Sequence, residues 1–310
     1  MPTAISASSY PSRPGKCTCS SRQVVFSLTS EEEKCWGEGK KLTRLVFDGA
    51  TRYTDYENEQ IRLYREFLEA ELLKKENAGP PSEAPQHYDP WKESVTRLTY
   101  LVKSPDHYLL RFLHAKHFNF KETLEQHIDN LRLRDSLHQY RMTPAAEEFL
   151  NRGGVYCFGR DKNFRPLFFV NVKKANFDDT PMPVLETACL NFADYVIDKL
   201  LIPGQVENWV NHIDLKDVSM FNPPISKIKG FIGFLQRIAR ARAYRIYVLN
   251  APWLISGVWA IVKGFLDKST ADKVNITSSS THEKMKEHIN LDNLEMKYGG
   301  RVPNLTENYW

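Results

Sequence analysis

The sequence predicts an α/β protein in which a small helical amino-terminal part precedes a lobe built on a mostly parallel β-sheet. Two observations carry this prediction. Between positions 59 and 151, apolar residues recur at helical spacing. After residue 152, short apolar runs typical of buried strands alternate with amphipathic helical segments. That order produces parallel strands joined by right-handed crossovers.

The composition fits a globular chain of about two domains. Its 310 residues exceed the roughly 150 of one typical domain. Apolar residues make up 42% and charged residues 26%, which predicts a packed core and excludes wholesale disorder. The net charge of +4 is too small to indicate nucleic acid by itself. The longest apolar run, 252–262, is far shorter than the roughly 20 residues of a membrane-spanning helix, so we expect a soluble or peripheral protein.

Residues 1–90 are predicted to be an amino-terminal extension. Residues 1–30 hold eight serines and no acidic residue, which fits a disordered tail or an organellar transit segment. We favour the tail, because no amphipathic helix is evident there. A helix is predicted near 59–77, and the stretch 78–90, with four prolines, is predicted to be a linker and a domain boundary. The apolar stripe of the helix consists of Leu63, Phe67, Leu68 and Leu72.

Residues 91–150 are predicted to be the helical part that leads into the lobe. Asn119 precedes a helix whose third residue is Glu122, a variant of the capping box. A shorter helix is predicted over 144–151. Residues 151–305 form the lobe itself. Its strands are predicted at 166–172, 210–215, 245–250 and 274–277, with helices at about 182–201 and 225–240.

The charge pattern singles out one part of the lobe. No acidic residue occurs between Asp217 and Asp267, and this basic interval attracts phosphate on lipid headgroups or nucleic acid. Aromatic residues of the kind that stack on bases are not interleaved with it, which disfavours nucleic acid. A solvated basic helix face is the alternative. The basic residues are Lys227, Lys229, Arg237, Arg240, Arg242, Arg245 and Lys263.

A second informative segment, 252–267, is apolar around most of a helix. Such a helix is either buried in the core or a lid over an apolar pocket whose outer side contacts a membrane. Periodicity alone does not separate these alternatives. Gly257 and Gly264 fit either hinges or close packing. The apolar residues that mark the segment include Trp253, Val258, Trp259, Val262, Phe265 and Leu266.

Signatures of catalysis and of metal binding are not found in the sequence. There is no GxSxG, GxxxxGK[ST], GxGxxG or HExxH motif. The five cysteines are scattered, and no secretory signal is evident, so we expect reduced thiols in a cytosolic protein. Asp214 ends a predicted strand, where we expect it to fix a loop through hydrogen bonds.

Six segments occur together in the order and at the spacing of one protein family. They are LLRFLHAKHFNF (109–120), RDKNFRPLFF (160–169), HIDLKDVS (212–219), RIYVLNAPW (245–253), FLDKSTADKVNI (265–276) and EMKYGGRVP (295–303). The chain thereby resembles the CRAL-TRIO lipid-binding family over roughly 95–305, and within it the yeast-type phosphatidylinositol transfer proteins. The resemblance implies a helical part, an α/β lobe with an apolar lipid pocket, and a gate helix at 252–267 that closes the pocket.

The resemblance also implies which side chains bind the inositol phosphate. They are Lys116, Arg242, Thr270 and Lys273. The family usually has arginine at the position of Lys116, so the positive charge is kept. It usually has an acidic residue where this chain has Ala241. A threonine and a lysine three residues apart share one side of a helical turn, as two donors to one phosphate should.

Phosphatidylcholine binding by the family's mode is not expected. At four pocket positions where the related proteins have a hydroxyl side chain, this chain has a residue without one. We keep these four residues as other pocket candidates. These are Cys157, Phe168, Trp209 and Asn211. A sterol or another apolar molecule is an alternative second ligand, and a single bound lipid is the other alternative.

Together these observations predict non-enzymatic binding and intermembrane transfer of phosphatidylinositol. One alternative is a lipid sensor that presents phosphatidylinositol to a lipid kinase. Another is a carrier of a small hydrophobic molecule of the sterol, retinoid or tocopherol type. We expect no cofactor besides the bound lipid, no metal and no nucleic acid. The expected location is the cytoplasm with transient, peripheral membrane contact, and organellar targeting by residues 1–30 is the alternative.

Overall fold

A computed structural model describes residues 35–36, 43–47, 52–80, 89–136, 141–219, 221 and 223–310. The predictions for residues 1–30 and for most of the linker lie outside this part of the chain. The chain divides into two compact units between Ser136 and Leu137. We call residues 28–136 the helical unit and residues 137–310 the sheet unit, and each is described by itself.

The helical unit contains four long helices and a short antiparallel pair of strands among its described residues. The strands are β1 (Cys35–Trp36) and β2 (Thr43–Arg44). The helices are α1 (Asp55–Ala78), α2 (Pro90–Val102), α3 (Asp106–Ala115) and α4 (Phe120–Asp135). Asn119 accepts a hydrogen bond from the amide of Glu122 at 3.2 Å, so the predicted cap of α4 is confirmed.

One apolar core joins the four helices of this unit. Ile61, Tyr64 and Leu68 of α1 lie in the same buried cluster as Leu98 and Leu101 of α2. The compact units therefore divide after α4 and not near residue 90, where the prolines predict a boundary. A proline-rich stretch breaks a helix, but it does not stop the helices on either side from packing together.

The sheet unit alternates strands and helices, as predicted. Its strands are β3 (Val155–Arg160), β4 (Pro166–Asn171), β5 (Trp209–Asp214), β6 (Ala243–Leu249) and β7 (Val274–Ile276). Its helices are α5 (Pro144–Asn151), α6 (Val172–Ala175), α7 (Met182–Tyr195), α8 (Ile225–Ile238), α9 (Ile255–Lys263), α10 (Lys268–Ala271) and α11 (Glu283–His288). The strands are ordered β3-β4-β5-β6-β7, and every pair is parallel except β3 with β4.

The four predicted strands are present within one or two residues, and β3 is an additional strand that the apolar pattern did not indicate. Glycine at position 159 interrupts the apolar run of β3 and adopts a φ of 75°. The pairing register with β4 shifts between Cys157 and Arg160. This irregularity explains why the segment does not read as a strand from its sequence.

The two faces of the sheet are buried to different degrees. On the back face, Tyr156, Phe169, His212 and Tyr247 are at most 1% exposed. Their neighbouring rings stack at centroid distances of 5.2, 4.5 and 5.6 Å. The adjacent row on the opposite side, the front face, is half-buried. Paired across the five strands, this row consists of Cys157, Phe168, Asn211, Ile246 and Val274.

Asp214 fixes the carboxyl-terminal edge of the sheet, as its position predicts. Its carboxylate accepts hydrogen bonds from the Lys216 amide at 2.9 Å, from Asn250 Nδ2 at 2.7 Å and from the Tyr298 hydroxyl at 3.2 Å. These residues come from three of the six sequence segments that carry the family resemblance. Gly300, two residues after Tyr298, lies so close to the Leu294 carbonyl that an added Cβ would stand 1.8 Å from it. Only glycine fits that approach.

A buried polar cluster holds the start of α1 in the helical unit. Glu57 is 2% exposed and accepts hydrogen bonds from Arg44 Nε and His114 Nε2, both at 2.7 Å. Its carboxylate also closes a capping box with Thr54, which is why α1 begins at Asp55, before the predicted 59. Burial alone would raise the pKa of Glu57, but the hydrogen bonds from Arg44 and His114 lower it below its usual range.

Replacing Glu57 by glutamine should destabilise the helical unit by roughly 3 kcal/mol at pH 7, because it leaves a buried guanidinium without its partner. The pKa of Glu57 is lower in the folded than in the unfolded chain. Its stabilising effect is therefore full above the unfolded value of about 4.3 and is lost as the pH falls through the folded value.

Hydrogen exchange of α1 peptides along a urea titration measures this effect within the helical unit. The difference between wild type and Glu57→Gln should be large at pH 7 and should shrink as the pH falls well below 4. Glu59→Gln is the matched control, since Glu59 forms an exposed pair with Arg62 and such pairs contribute little to stability. A pH-independent difference would contradict the assignment.

Candidate functional site

The candidate site is the front face of the sheet together with the helices that follow β5 and β6. The row of five paired residues is apolar apart from Cys157 and Asn211, and its side chains are neither exposed nor fully buried. Trp209 and Val248, which lie beside this row on the same face, are buried. Ile255, the first residue of α9, packs against a small cluster that contains Val248 and Ile213 of this face. Further half-buried apolar side chains occur on α8, namely Ile228, Phe231, Ile232 and Leu235.

Helix α9 is shorter than the predicted gate segment, and none of its residues is buried. The helix covers Ile255–Lys263, whereas Pro252–Leu254 and Gly264–Asp267 flank it as non-helical turns. Trp253 is 82% exposed and precedes the helix. An apolar helix with no buried residue is not a core helix, which removes that alternative.

The other predicted gate residues are less exposed than Trp253. Val258, Trp259, Val262, Phe265 and Leu266 are all half-buried. A Cβ added at Gly257 would meet no atom within 4 Å, so close packing does not explain this glycine. The carboxyl-terminal flank is tied to α8, because Gln236 Nε2 donates to the Phe265 carbonyl at 3.3 Å and Lys229 Nζ lies 5.4 Å from the Phe265 ring.

Thr270 and Lys273 lie together at the amino-terminal edge of the sheet, just before β7. The Lys273 amine is buried and donates to the carbonyl of Ala243, the first residue of β6, at 2.8 Å. The Thr270 hydroxyl donates to Asp267 Oδ2 at 3.0 Å. Burial lowers the pKa of Lys273 to about 8, although Asp267 opposes this shift. Lys273 is therefore a buried amine whose charge a nearby anion would stabilise.

Asp267 is a functional candidate that the sequence reading missed. Its carboxylate begins α10, accepting from the Thr270 amide and the Ser269 hydroxyl, each at 2.8 Å. It also lies 3.8 Å from Arg240 Nη1. An aspartate three residues before a threonine, ahead of a short helical stretch, is a recognisable N-cap signal. That signal marks Asp267 in the sequence.

Arg242 occupies the same edge, but its guanidinium already has a carboxylate partner. The side chain is buried, pairs with Glu207, and donates to the Glu207 carbonyl at 3.0 Å. Arg242 therefore joins the chain before β5 to the chain before β6. Glu207 is 35 positions away in sequence, so no local spacing indicates this pair.

Lys116, the remaining predicted headgroup residue, belongs to the helical unit. It follows α3 as its C-cap, and its amine lies 3.6 Å from Glu122. Its side chain is 31% exposed. Of the four predicted headgroup residues, the sheet unit thus brings together Arg242, Thr270 and Lys273.

The other pocket candidates form an aromatic wall with one amide on the front face. Cys157, Phe168 and Asn211 are consecutive partners across β3, β4 and β5. Phe168 stacks on Trp209 at 6.0 Å and meets Phe192 of α7 edge-on at 5.1 Å. Trp209 Nε1 donates to Asn211 Oδ1 at 3.0 Å, which fixes the orientation of the amide group.

The basic interval is not one uniformly solvated face. The Lys227 amine donates to three backbone carbonyls of the loop before α7. They belong to Phe177, to Asp178 at 2.9 Å and to Thr180 at 2.7 Å. Lys229, Arg237 and Lys263 are exposed. The basic interval thus contains Lys227, which forms hydrogen bonds within the protein, and other basic residues that form an exposed surface.

Among the residues that the structure describes, no group of three or more His, Cys, Asp or Glu side chains is arranged to hold a metal ion. None of the helices in that part of the chain is long and apolar enough to cross a membrane.

Comparison with known proteins identifies the class. The CRAL/TRIO domain model matches residues 150–300. A CRAL-TRIO domain-containing protein of Schizosaccharomyces pombe is 25% identical over 64% of this chain and 46% of its own length. The Sec14 cytosolic factor of the same yeast is 26% identical over 68% of this chain and 80% of its own length.

Two further similarities agree with this result. A CRAL-TRIO domain-containing protein of Saccharomyces cerevisiae is 27% identical over 65% of this chain and 72% of its own length. The crystal structure of Sfh5 superimposes with a TM-score of 0.55 at 17% identity, covering 81% of this chain and 89% of that chain, and shows the fold alone. Residues 150–300 therefore match the CRAL-TRIO domain, and the chain is similar to Sec14 cytosolic factor and to other CRAL-TRIO proteins, as the six sequence segments predict.

Proposed function

We propose that this protein binds phosphatidylinositol and transfers it between membranes without catalysing a reaction. The observation that carries the proposal is the placement of Thr270 and the buried Lys273 amine at one edge of a half-buried apolar sheet face. In this arrangement the headgroup phosphate binds at Thr270 and Lys273, and the acyl chains lie along the front face.

The dimensions of the sheet support this arrangement. Strand β6 has seven residues, which span roughly 20 Å from the amino-terminal edge to the carboxyl-terminal edge. Lys273 contacts the first residue of β6, and Trp253 follows the end of the same strand by four residues. An acyl chain that starts at the phosphate therefore has an apolar path toward α9. Each CH₂ group that leaves water contributes about 0.8 kcal/mol.

The state of Lys273 also favours an anionic ligand. Burial lowers the pKa of Lys273 to about 8, because it disfavours the charged ammonium form. A phosphate beside it stabilises the ammonium, so ligand binding and full protonation of Lys273 support each other. Lysine serves such a phosphate as a point charge.

Membrane contact is proposed at the carboxyl-terminal edge of the sheet. Trp253 after β6 and Phe221 after β5 are 82% and 84% exposed. Such amphipathic or apolar rings insert at a membrane interface. Away from these rings, the exposed Lys229 and Lys263 add positive charge that attracts anionic lipid. The protein would then act in the cytoplasm and meet membranes transiently, with α9 as the gate.

Replacing both Thr270 and Lys273 by alanine should lower the amount of bound phosphatidylinositol at least about tenfold, because both proposed hydrogen-bond donors to the phosphate are lost. Binding of dioleoylglycerol, which has no phosphate, should be unchanged. The measurement is lipid retention after incubation with vesicles, quantified by mass spectrometry. Lys268→Ala is the control, since Lys268 is 81% exposed and lies in the same short helix. Unchanged phosphatidylinositol retention in the double variant would refute the headgroup site.

Replacing Trp253 by serine should reduce sedimentation with anionic vesicles severalfold, because an exposed interfacial aromatic ring is lost. Tyr100→Ser is the control, since Tyr100 is 53% exposed and lies in the helical unit. Equal losses in both variants would contradict a specific membrane-contacting edge. A transfer assay between two vesicle populations then separates transfer from presentation to a lipid kinase.

The amide of Asn211 favours a second candidate function, carriage of a small apolar molecule with a hydrogen-bond acceptor. Its oxygen is engaged by Trp209, so its NH₂ group is the part available to a ligand covering the front face. Burying that donor without an acceptor costs about 1–3 kcal/mol. By strand spacing, the Cα of Asn211 lies about 10 Å from that of Lys273, because the two are two strands apart and offset by one residue. The ester carbonyls of a lipid adjoin its phosphate and do not reach so far.

Replacing Asn211 by leucine, which has the same number and branching of side-chain heavy atoms, tests this second candidate. The variant should bind cholest-4-en-3-one more weakly by about fivefold or more, while binding of the parent hydrocarbon cholest-4-ene should stay the same or rise. Asn275→Leu, on edge strand β7, is the matched control. If the Asn211 variant affects both ligands equally, the amide does not recognise an acceptor.

A further inference from the structure

We propose that Asp267 is a specificity-determining residue that competes with the headgroup phosphate for Thr270 and Lys273. This inference rests on the proposed function and deepens it. The Asp267 carboxylate interacts with Thr270 and Lys273, the two side chains that the headgroup phosphate would also contact. Asp267 is the anion that the Thr270 hydroxyl and the Arg240 guanidinium face in this structure.

The contacts of Asp267 support this role. Its two oxygens accept from the Thr270 amide at 2.8 Å and from the Thr270 hydroxyl at 3.0 Å. The Ser269 hydroxyl donates to it at 2.8 Å. Arg240 Nη1 lies 3.8 Å from Oδ2, and the carboxylate attracts the Lys273 ammonium. The donors and cations around this point therefore converge on one carboxylate.

A phosphate cannot use these groups without a consequence for Asp267. The Thr270 hydroxyl has one proton to donate, so it serves either the carboxylate or the phosphate. If the carboxylate stays while the phosphate binds, two negative charges stand within about 6 Å of each other and repel. In either case the charge of Asp267 weakens binding of an anionic headgroup. It does not affect an uncharged lipid in the same way.

This arrangement has a consequence for ligand choice. Neutral lipids with the same acyl chains occupy the front face without displacing anything at the edge. An anionic lipid must supply enough interaction with Lys273 to offset the repulsion. Asp267 therefore lowers the preference for phosphate-bearing lipids and keeps their release possible, which a transfer protein needs.

The test is Asp267→Asn, which removes the charge but keeps a side-chain oxygen that can cap α10. Its matched control is Asp272→Asn, which removes one negative charge at the other end of the same short helix. Each full-length protein is incubated with vesicles containing dioleoyl phosphatidylinositol or dioleoylglycerol. Bound lipid is then quantified over a range of vesicle concentrations.

We expect Asp267→Asn to bind phosphatidylinositol at least about threefold more tightly than wild type, from the repulsion of like charges at this separation. Its binding of dioleoylglycerol should be unchanged, and Asp272→Asn should resemble wild type. Equal or weaker phosphatidylinositol binding by Asp267→Asn would overturn the competitor role while leaving the proposed function intact. If wild type does not prefer phosphatidylinositol at all, and Asp267→Asn does not create that preference, both proposals fail together.

Discussion

The unequal burial of the two sheet faces is the constraint on which the rest of the sheet unit depends. The back face is closed by stacked rings from Tyr156, Phe169, His212 and Tyr247, with Tyr298 added against Phe169 at 4.9 Å. That packing supplies a rigid support of core density. The front face can then remain half-buried without loss of the fold. An apolar face that its own chain does not fully cover is available to an apolar ligand.

Several of the six segments that carry the family resemblance supply side chains that join parts of the sheet unit through hydrogen bonds or ion pairs. Asp214, Asn250 and Tyr298 join three segments at the carboxyl-terminal edge. A fourth segment is held by the fully buried pair of Arg165 and Asp161, 3.1 Å apart. Asp214, Asn250 and Tyr298 are distant in sequence, whereas Arg165 and Asp161 lie within one segment. They hold the edges of the sheet while leaving the face between them apolar, so fold and site are separated within one layer.

How much the sequence could predict depended on whether the signal was local. Apolar runs placed β4 to β7, and Asn119 placed the start of α4, because periodicity and capping act over a few residues. The family resemblance named Thr270 and Lys273, and their spacing of three residues predicted that they lie near each other. Pairings distant in sequence left no such trace: Arg242 with Glu207, and α1 with α2 in one core. The resemblance could name Arg242 as a headgroup residue, but only the fold reveals its carboxylate partner.

The central claim is that a lipid with a phosphate headgroup occupies the front face with its charge at Lys273. Native mass spectrometry of the full-length protein, purified from a eukaryotic host, tests this most directly. We predict a bound mass that releases an inositol phosphate fragment on dissociation of the ligand. A bound ligand without phosphorus, or protein that carries no lipid even after exposure to phosphatidylinositol vesicles, would contradict it.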